Sequence, residues 1–188
     1  MATRIAEKGR DAERTAADIL AAAQHVFAIR GYADAKIRDI TAMAGANPAL
    51  VSRYFGGKLK LYAAALDAAL DARLITDLDR ATFGETIVAR FVEDRTDRVQ
   101  PLPIMMSGAS DTEAREVART LLHDRIFAPL SDWFGGEAAM LKAARFMIVS
   151  TGFFAYRDQL PLDMFGGPVD SALREWLVSE FQAIVDTP

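Results

Sequence analysis

The chain has no cysteine. Disulfides and thiolate metal sites are therefore excluded, and a reducing compartment, the cytoplasm, is its natural setting. Histidine is almost as scarce, with only His25 and His123. No Gly-x-Gly-x-x-Gly run occurs, and Gly57-Lys58 lacks both the upstream glycine spacing and the following Ser/Thr of a phosphate-binding loop. No cluster of acids and bases stands out from ordinary helix-surface charge. Catalytic residues, a metal and a cofactor are accordingly not expected. Long apolar runs are missing too: the longest, Phe146 to Tyr156, contains Ser150 and Thr151, is flanked by Arg145 and Arg157, and is too short to span a bilayer. The opening residues, MATRIAEKGRDAERT, have no apolar core, so no secretory signal is expected. No useful period-two alternation appears, which argues against a sheet.

What is present is helical pattern and an uneven distribution of charge. Of 188 residues, 51% are hydrophobic, enough for a folded core. The net charge of −4 divides sharply. Residues 1–60 carry 10 Lys+Arg against 6 Asp+Glu, and the remainder carries 12 against 20. A small basic head that meets phosphates and an acidic body that does not is the physical reading of that split. Ile19, Leu20, Ala23, Val26 and Phe27 recur at helical spacing, with Asp11 as a candidate N-cap and Gly31 as the stop. A second helix is expected from about Lys36 to Ala44, a turn at Gly45, and a third short helix opened by Asn47-Pro48 and ended by Gly56-Gly57. Lys58 starts a long helix whose stripe is Leu59, Tyr62, Leu66, Leu70 and Leu74. Further helices are expected over 85–97, from Asp111 or Thr112 to Leu130 with a kink near Pro129, over 137–158 and over 169–185. Pro101 and Pro103 break the chain between two of them. Phe-Gly-Gly occurs at Phe55, Phe134 and Phe165, each a helix stop.

Lys36–Lys58 reads KIRDITAMAGANPALVSRYFGGK. Ile37, Ile40, Val51 and Phe55 are placed to hold two short helices on the first, and Ala44 and Gly45 are small enough for close approach. That leaves Asn47, Pro48, Ala49, Ser52 and Arg53 on the outer side of the third helix. An arginine there can fork onto guanine O6/N7 or clamp a phosphate. Asn47 and Ser52 can bond base edges or phosphate oxygens. Lys36 and Lys58 carry charge, and Tyr54 a hydroxyl on a rigid ring, where a DNA backbone would pass.

These residues resemble the TetR family of bacterial transcriptional regulators. The resemblance runs through Ala17–Ala23, Phe27, Gly31-Tyr32, Ile37–Ile40, Ala44-Gly45, Asn47, Tyr54-Phe55 and Lys58, and covers roughly residues 11–65. It implies an all-α homodimer that binds double-stranded operator DNA. Residues 1–57, extending to about 70, would be the helix-turn-helix domain, with the recognition helix within Ala46–Tyr54. Residues 58–188 would be a helical body that binds a small-molecule effector and dimerises. Two positions depart from the family pattern. Ala35 and Lys36 stand where a hydroxyl pair usually opens the second helix, and Ser52 stands where tyrosine is common. Phe91, Met105, Met106, Phe127, Met147 and Phe154 are candidate pocket residues, because methionine and aromatics suit a variable apolar guest. Phe146, Ser150 and Phe153, with Leu173, Trp176, Leu177 and Phe181, form apolar stripes that exceed what one small body can easily hide. By the resemblance these last two helices make the dimer's four-helix bundle.

Overall fold

The computed structural model describes residues 2–93, 99–162, 165 and 168–187, and side chains within them except those of 2–10 and 93. Every regular element among the described residues is helical. The α-helices in order are α1 (Ala2–Asp34), α2 (Ile37–Met43), α3 (Ala49–Phe55), α4 (Lys58–Ala69), α5 (Arg73–Thr76), α6 (Phe83–Glu93), α7 (Pro101–Ser107), α8 (Thr112–Leu122), α9 (Ala128–Phe134), α10 (Ala139–Phe154) and α11 (Ser171–Asp186), with a short 3-10 turn at Arg80–Thr82. The chain forms two compact units, Met1–Ala69 with Val99–Leu121, and Leu70–Arg98 with Leu122–Pro188.

In the first unit α1 is the strut against which α2, α3, α4 and α7 pack. Ile19, Ala23, Val26 and Phe27 supply its buried stripe, at the i, i+3, i+4 spacing that keeps one face inward. The helix starts well before Asp11, the expected cap, and runs through it. The segment is rich in Ala, Arg, Glu and Lys, all strong helix formers, and nothing in it stops a helix. Gly31 leaves helical geometry at φ 77°, as its stop role requires. Phe27, Tyr32 and Tyr62 meet edge to face, with Phe27–Tyr62 centroids 5.4 Å and Tyr32–Tyr62 centroids 5.0 Å apart. Tyr62 on α4 donates its hydroxyl to the Ile104 carbonyl of α7 at 3.1 Å. Burial, with Tyr32 close by, pushes the Tyr62 phenol up to about 12, so this donor keeps its proton at any working pH. Gln24 ties α1 to α4 through the Ala65 carbonyl at 3.0 Å.

The second unit is built on Phe83, Ile87, Leu130, Phe134, Phe146, Phe153, Leu177 and Phe181, with Phe91 packed among the rings. Arg80 reaches the Trp133 and Phe134 carbonyls that end α9 and lies over the Trp133 ring at 4.6 Å, so one guanidinium both caps a helix and stacks. Lys142 is buried and donates to the Val185 carbonyl at 3.4 Å, at the negative end of α11. The kink expected near Pro129 appears as one wide π turn at His123–Phe127, just ahead of α9. Pro129 has no N–H to give and its ring crowds the carbonyl four residues back, so the turn opens instead of breaking. The helix expected over 137–158 ends as α10 at Phe154, followed by a second π turn at Ala155–Gln159. The part of the expected 85–97 helix that follows Glu93 lies outside the described residues, as do the two glycines after Phe165. α3 and α9 do end at Phe55 and Phe134, each before a glycine with positive φ.

α6 and α11 cross backbone to backbone. A Cβ at Gly84 would lie 2.3 Å from the Val178 carbonyl oxygen, and the Gly84 N–H already donates to Gln182 Oε1 at 2.9 Å. Gly84→Ala is therefore expected to destabilise the chain by roughly 1–3 kcal/mol, the usual cost of overpacking against a fixed main chain. Urea denaturation checks this, with a lowered midpoint at unchanged slope as the expected result.

Candidate nucleic-acid interface

α2, a tight turn and α3 form a helix-turn-helix. Gly45, at φ 61°, makes the turn, and the Ala46 N–H returns to the Thr41 carbonyl at 2.8 Å. Thr41 itself is buried and gives its hydroxyl to the Ile37 carbonyl at 3.0 Å, so it leaves no polar group unmet. Asn47 Oδ1 accepts the Ala49 N–H at 2.9 Å, and Pro48 is already at φ −53° and ψ −31°. A side-chain cap followed by a proline pre-set for the helix is what the Asn47-Pro48 pair was expected to supply.

α3 is held from beneath. Val51 is fully buried, as is Ile40 from α2. With that face fixed, Asn47, Pro48, Ala49, Ser52 and Arg53 are exposed, and Tyr54 is half-buried. The Arg53 guanidinium lies 5.9 Å from the Tyr54 ring centroid, a loose stack that leaves its donors available. Asn47 has spent one acceptor on the cap, but its amide donors remain for a phosphate or a base edge. Lys36 is exposed in extended backbone before α2, whose start carries no side-chain cap. Ala35 is buried. Of the two positions that depart from the family pattern at this helix start, only Lys36 presents a polar side chain outward.

Lys58 has another setting. Its ammonium donates to the Ala33 carbonyl at 3.1 Å and sits 4.6 Å from the Tyr32 ring centroid. Burial holds it below the usual lysine range, against the opposing pull of Asp111 and Asp34. The sequence reading also missed the Arg30–Asp39 ion pair, at 2.5 Å, which pins α2 to α1 and neutralises Arg30. An arginine and an aspartate nine residues apart on separate helices give no periodic signal, so only the packing reveals them.

Of the side chains expected at the dimer face, Phe146, Phe153, Leu177 and Phe181 are buried in the second unit's own core. Ser150 is half-buried and bonds the Met147 carbonyl, and Leu173 packs against the core. The large apolar side chains left outside on these two helices are Met140, Leu141 and Ile148 on α10, 67%, 62% and 72% exposed, and Trp176 on α11, 50% exposed. α10 is apolar almost all round, so periodicity could not say which side was core. The expected pocket residues divide as well. Met105 and Met106 lie on α7 in the first unit, Met106 exposed, whereas Phe91, Phe127, Met147 and Phe154 pack against the second unit's core. An open cleft of about 680 Å³ in the second unit is lined by Glu85, Arg174, Glu175, Val178, Ser179, Gln182, Ala183, Asp186 and Thr187, and by none of those six.

Comparison with known proteins meets this geometry at both ends of the chain. Residues 19–65 match the family model of bacterial regulatory proteins, tetR family, and residues 81–186 match that of the tetracyclin repressor-like C-terminal domain. The chain is similar to an HTH-type transcriptional repressor of Mycobacterium tuberculosis and an HTH-type transcriptional regulator of Mycobacterium bovis, 36% identical to each over 133 residues. That alignment covers 71% of this chain and 60% of each relative, so the chain spans less than two thirds of the curated relatives' length. Among solved structures its fold resembles a TetR-family regulator from Streptomyces coelicolor, with TM-score 0.56 and 24% identity over 92% of this chain and 95% of that one. It equally resembles a candidate TetR-family transcriptional regulator from Mesorhizobium loti, with TM-score 0.56 and 16% identity over 93% and 95%. The all-helical fold, the helix-turn-helix built on α2 and α3, and the two family matches lead to one conclusion: the chain belongs to the TetR family of transcriptional regulators.

Proposed function

We propose that the chain is a ligand-responsive repressor that binds a near-palindromic DNA operator as a homodimer in the cytoplasm and is released by a small molecule. It has no catalytic role in this reading. The observation that carries it is the outer face of Asn47–Arg53, exposed on a helix whose inner residue, Val51, is fully buried. A helix anchored in that way can enter a major groove without losing its place on the domain. Asn47, Pro48, Ala49, Ser52 and Arg53 face the bases, and Lys36 and Tyr54 meet phosphates, with further charge at the start of α4. Residues 1–57 act as the DNA-binding domain and 58–188 as the regulatory and dimerising one.

The second copy docks on the outer sides of α10 and α11, where Leu141, Ile148 and Trp176 stand exposed. Gly152 has open space where a Cβ would stand, which suits close approach of two helices. Two recognition helices about 34–36 Å apart then read successive turns of one DNA face. The effector acts by population shift. It binds better to a body shape in which the heads no longer match the half-site spacing, and only that difference in affinity can release DNA. Coupling of the usual size would weaken operator binding about 5- to 150-fold. A small molecule that binds tightly yet leaves operator affinity unchanged would rule out the release scheme.

Selection of bound duplexes from a random pool tests the reading directly, with paired half-sites as the expected outcome. On the selected operator, Arg53→Ala should cost roughly 1–3 kcal/mol of binding and relax the preference at one position per half-site. Unchanged affinity and preference would remove α3 from the groove. For the dimer, Ile148→Glu should yield monomers in sedimentation with little change in thermal midpoint. Phe181→Ala, by contrast, should cost about 3–5 kcal/mol of folding stability, because that ring lies in the core.

A further inference from the structure

α2 is lightly held. It has seven residues, its buried ones are Ile40 and Thr41, and its start has no side-chain cap. Asp39 precedes Ile40 and points about 100° away from it around the helix axis. Met43, one turn further along that side, is 54% exposed, so apolar burial does not secure it. A short helix held along one line resists sliding better than it resists rolling about its own axis.

What secures the Asp39 side is Arg30. Its Nη1 donates to Asp39 Oδ2 at 2.5 Å. Arg30 directly precedes Gly31, where α1 leaves helical geometry, and Asp39 lies in the first turn of α2. The bond therefore closes the link between the two helices on its exposed side, while the Ala35 N–H closes it within by donating to the Gly31 carbonyl at 3.2 Å. Any roll of α2 passes to α3, because the two share a tight turn in which the Ala46 N–H returns to the Thr41 carbonyl at 2.8 Å. An ion pair this exposed adds little to stability, but a guanidinium bound to a carboxylate has a fixed direction.

We propose that Arg30 and Asp39 are positioning residues for sequence recognition: their ion pair fixes the roll of α2 on α1 and, through the turn at Gly45, the angle at which α3 presents Asn47, Ser52 and Arg53. The inference rests on the DNA-binding reading above and assigns a role within it. The pair carries no net charge, so it acts on DNA through the geometry of α3 and not through attraction to phosphate. Its effect falls on the preference for one sequence over another, which depends on the angle of α3, more than on affinity for duplexes in general.

Variants that remove the pair without changing the head's net charge test this. Arg30→Gln/Asp39→Asn loses one positive and one negative charge. The probes are the operator selected from the random pool and a scrambled duplex of the same composition. The preference for the operator should fall roughly fivefold or more, a size usual for coupling between residues in contact. The slope of log Kobs against log salt concentration should keep its wild-type value, because no phosphate contact is lost. The thermal midpoint should stay within about 4 °C of wild type. Asp39→Asn alone removes a negative charge from the head, and relief of repulsion by itself would tighten binding to every duplex. It should instead bind the operator more weakly. Wild-type preference in the double variant, a flattened slope, a midpoint lowered beyond that limit, or a tighter operator complex in Asp39→Asn would each overturn the assignment. A wild type that selects no preferred duplex would instead sink the DNA-binding reading itself, so the two failures are distinct.

Discussion

The head depends on the apolar seam that α1 offers to the helices around it. Ile19, Ala23, Val26 and Phe27 are all but removed from solvent, and so are Ile40 and Val51, the inward residues of the two short helices. α2 and α3 have seven residues each, too few to be stable alone, because helix nucleation is costly and so short a run gains little from propagation. Their helicity and their orientation both come from that burial. The outer residues of α3 are therefore positioned by contacts on its opposite face, and a loss of packing at Val51 would be felt at Arg53.

Polar ties refine what the apolar contact begins. Arg30 with Asp39 fixes α2, Asn47 with the Ala49 N–H fixes the start of α3, and Lys58 with the Ala33 carbonyl fixes the start of α4. Arg30 and Lys58 are cations that composition alone would count toward phosphate binding. The Arg30 charge is cancelled by Asp39, so the head's net charge rests on fewer side chains than its count of Lys and Arg suggests. Exposed pairs of this kind add little to stability, so their value lies in registering one short helix against the next.

Much of this was legible in the sequence. Gly45, Asn47-Pro48 and Gly56 mark α2, α3 and the turn between them because each carries a local rule about backbone angle or capping that survives without tertiary context. The buried side of α1 was equally plain, since its apolar residues keep strict helical spacing. What failed to show was anything that depends on which of two apolar faces meets which neighbour. Phe146 and Phe153, expected at a dimer face, are buried in the core, a side that periodicity does not single out because α10 offers hydrophobic residues all round. Asp11 looked like a cap because aspartate often is one, yet nothing after Ala2 ends the helix that passes through it. Lys58 and Lys60 are indistinguishable by type and neighbourhood. Only the structure shows that the Lys58 ammonium meets the Ala33 carbonyl, 25 residues away in the chain but adjacent in space.

The stacking of Arg80 on Trp133 has an optical consequence. The chain holds two tryptophans. Trp133 lies against a guanidinium and the rings of Phe83 and Phe134, whereas Trp176 stands half in water. An indole beneath a cation and within aromatic contact emits differently from one open to solvent. The molecule thus carries two intrinsic fluorophores in different surroundings, one among the rings and guanidinium of the second unit and the other on the outer side of α11.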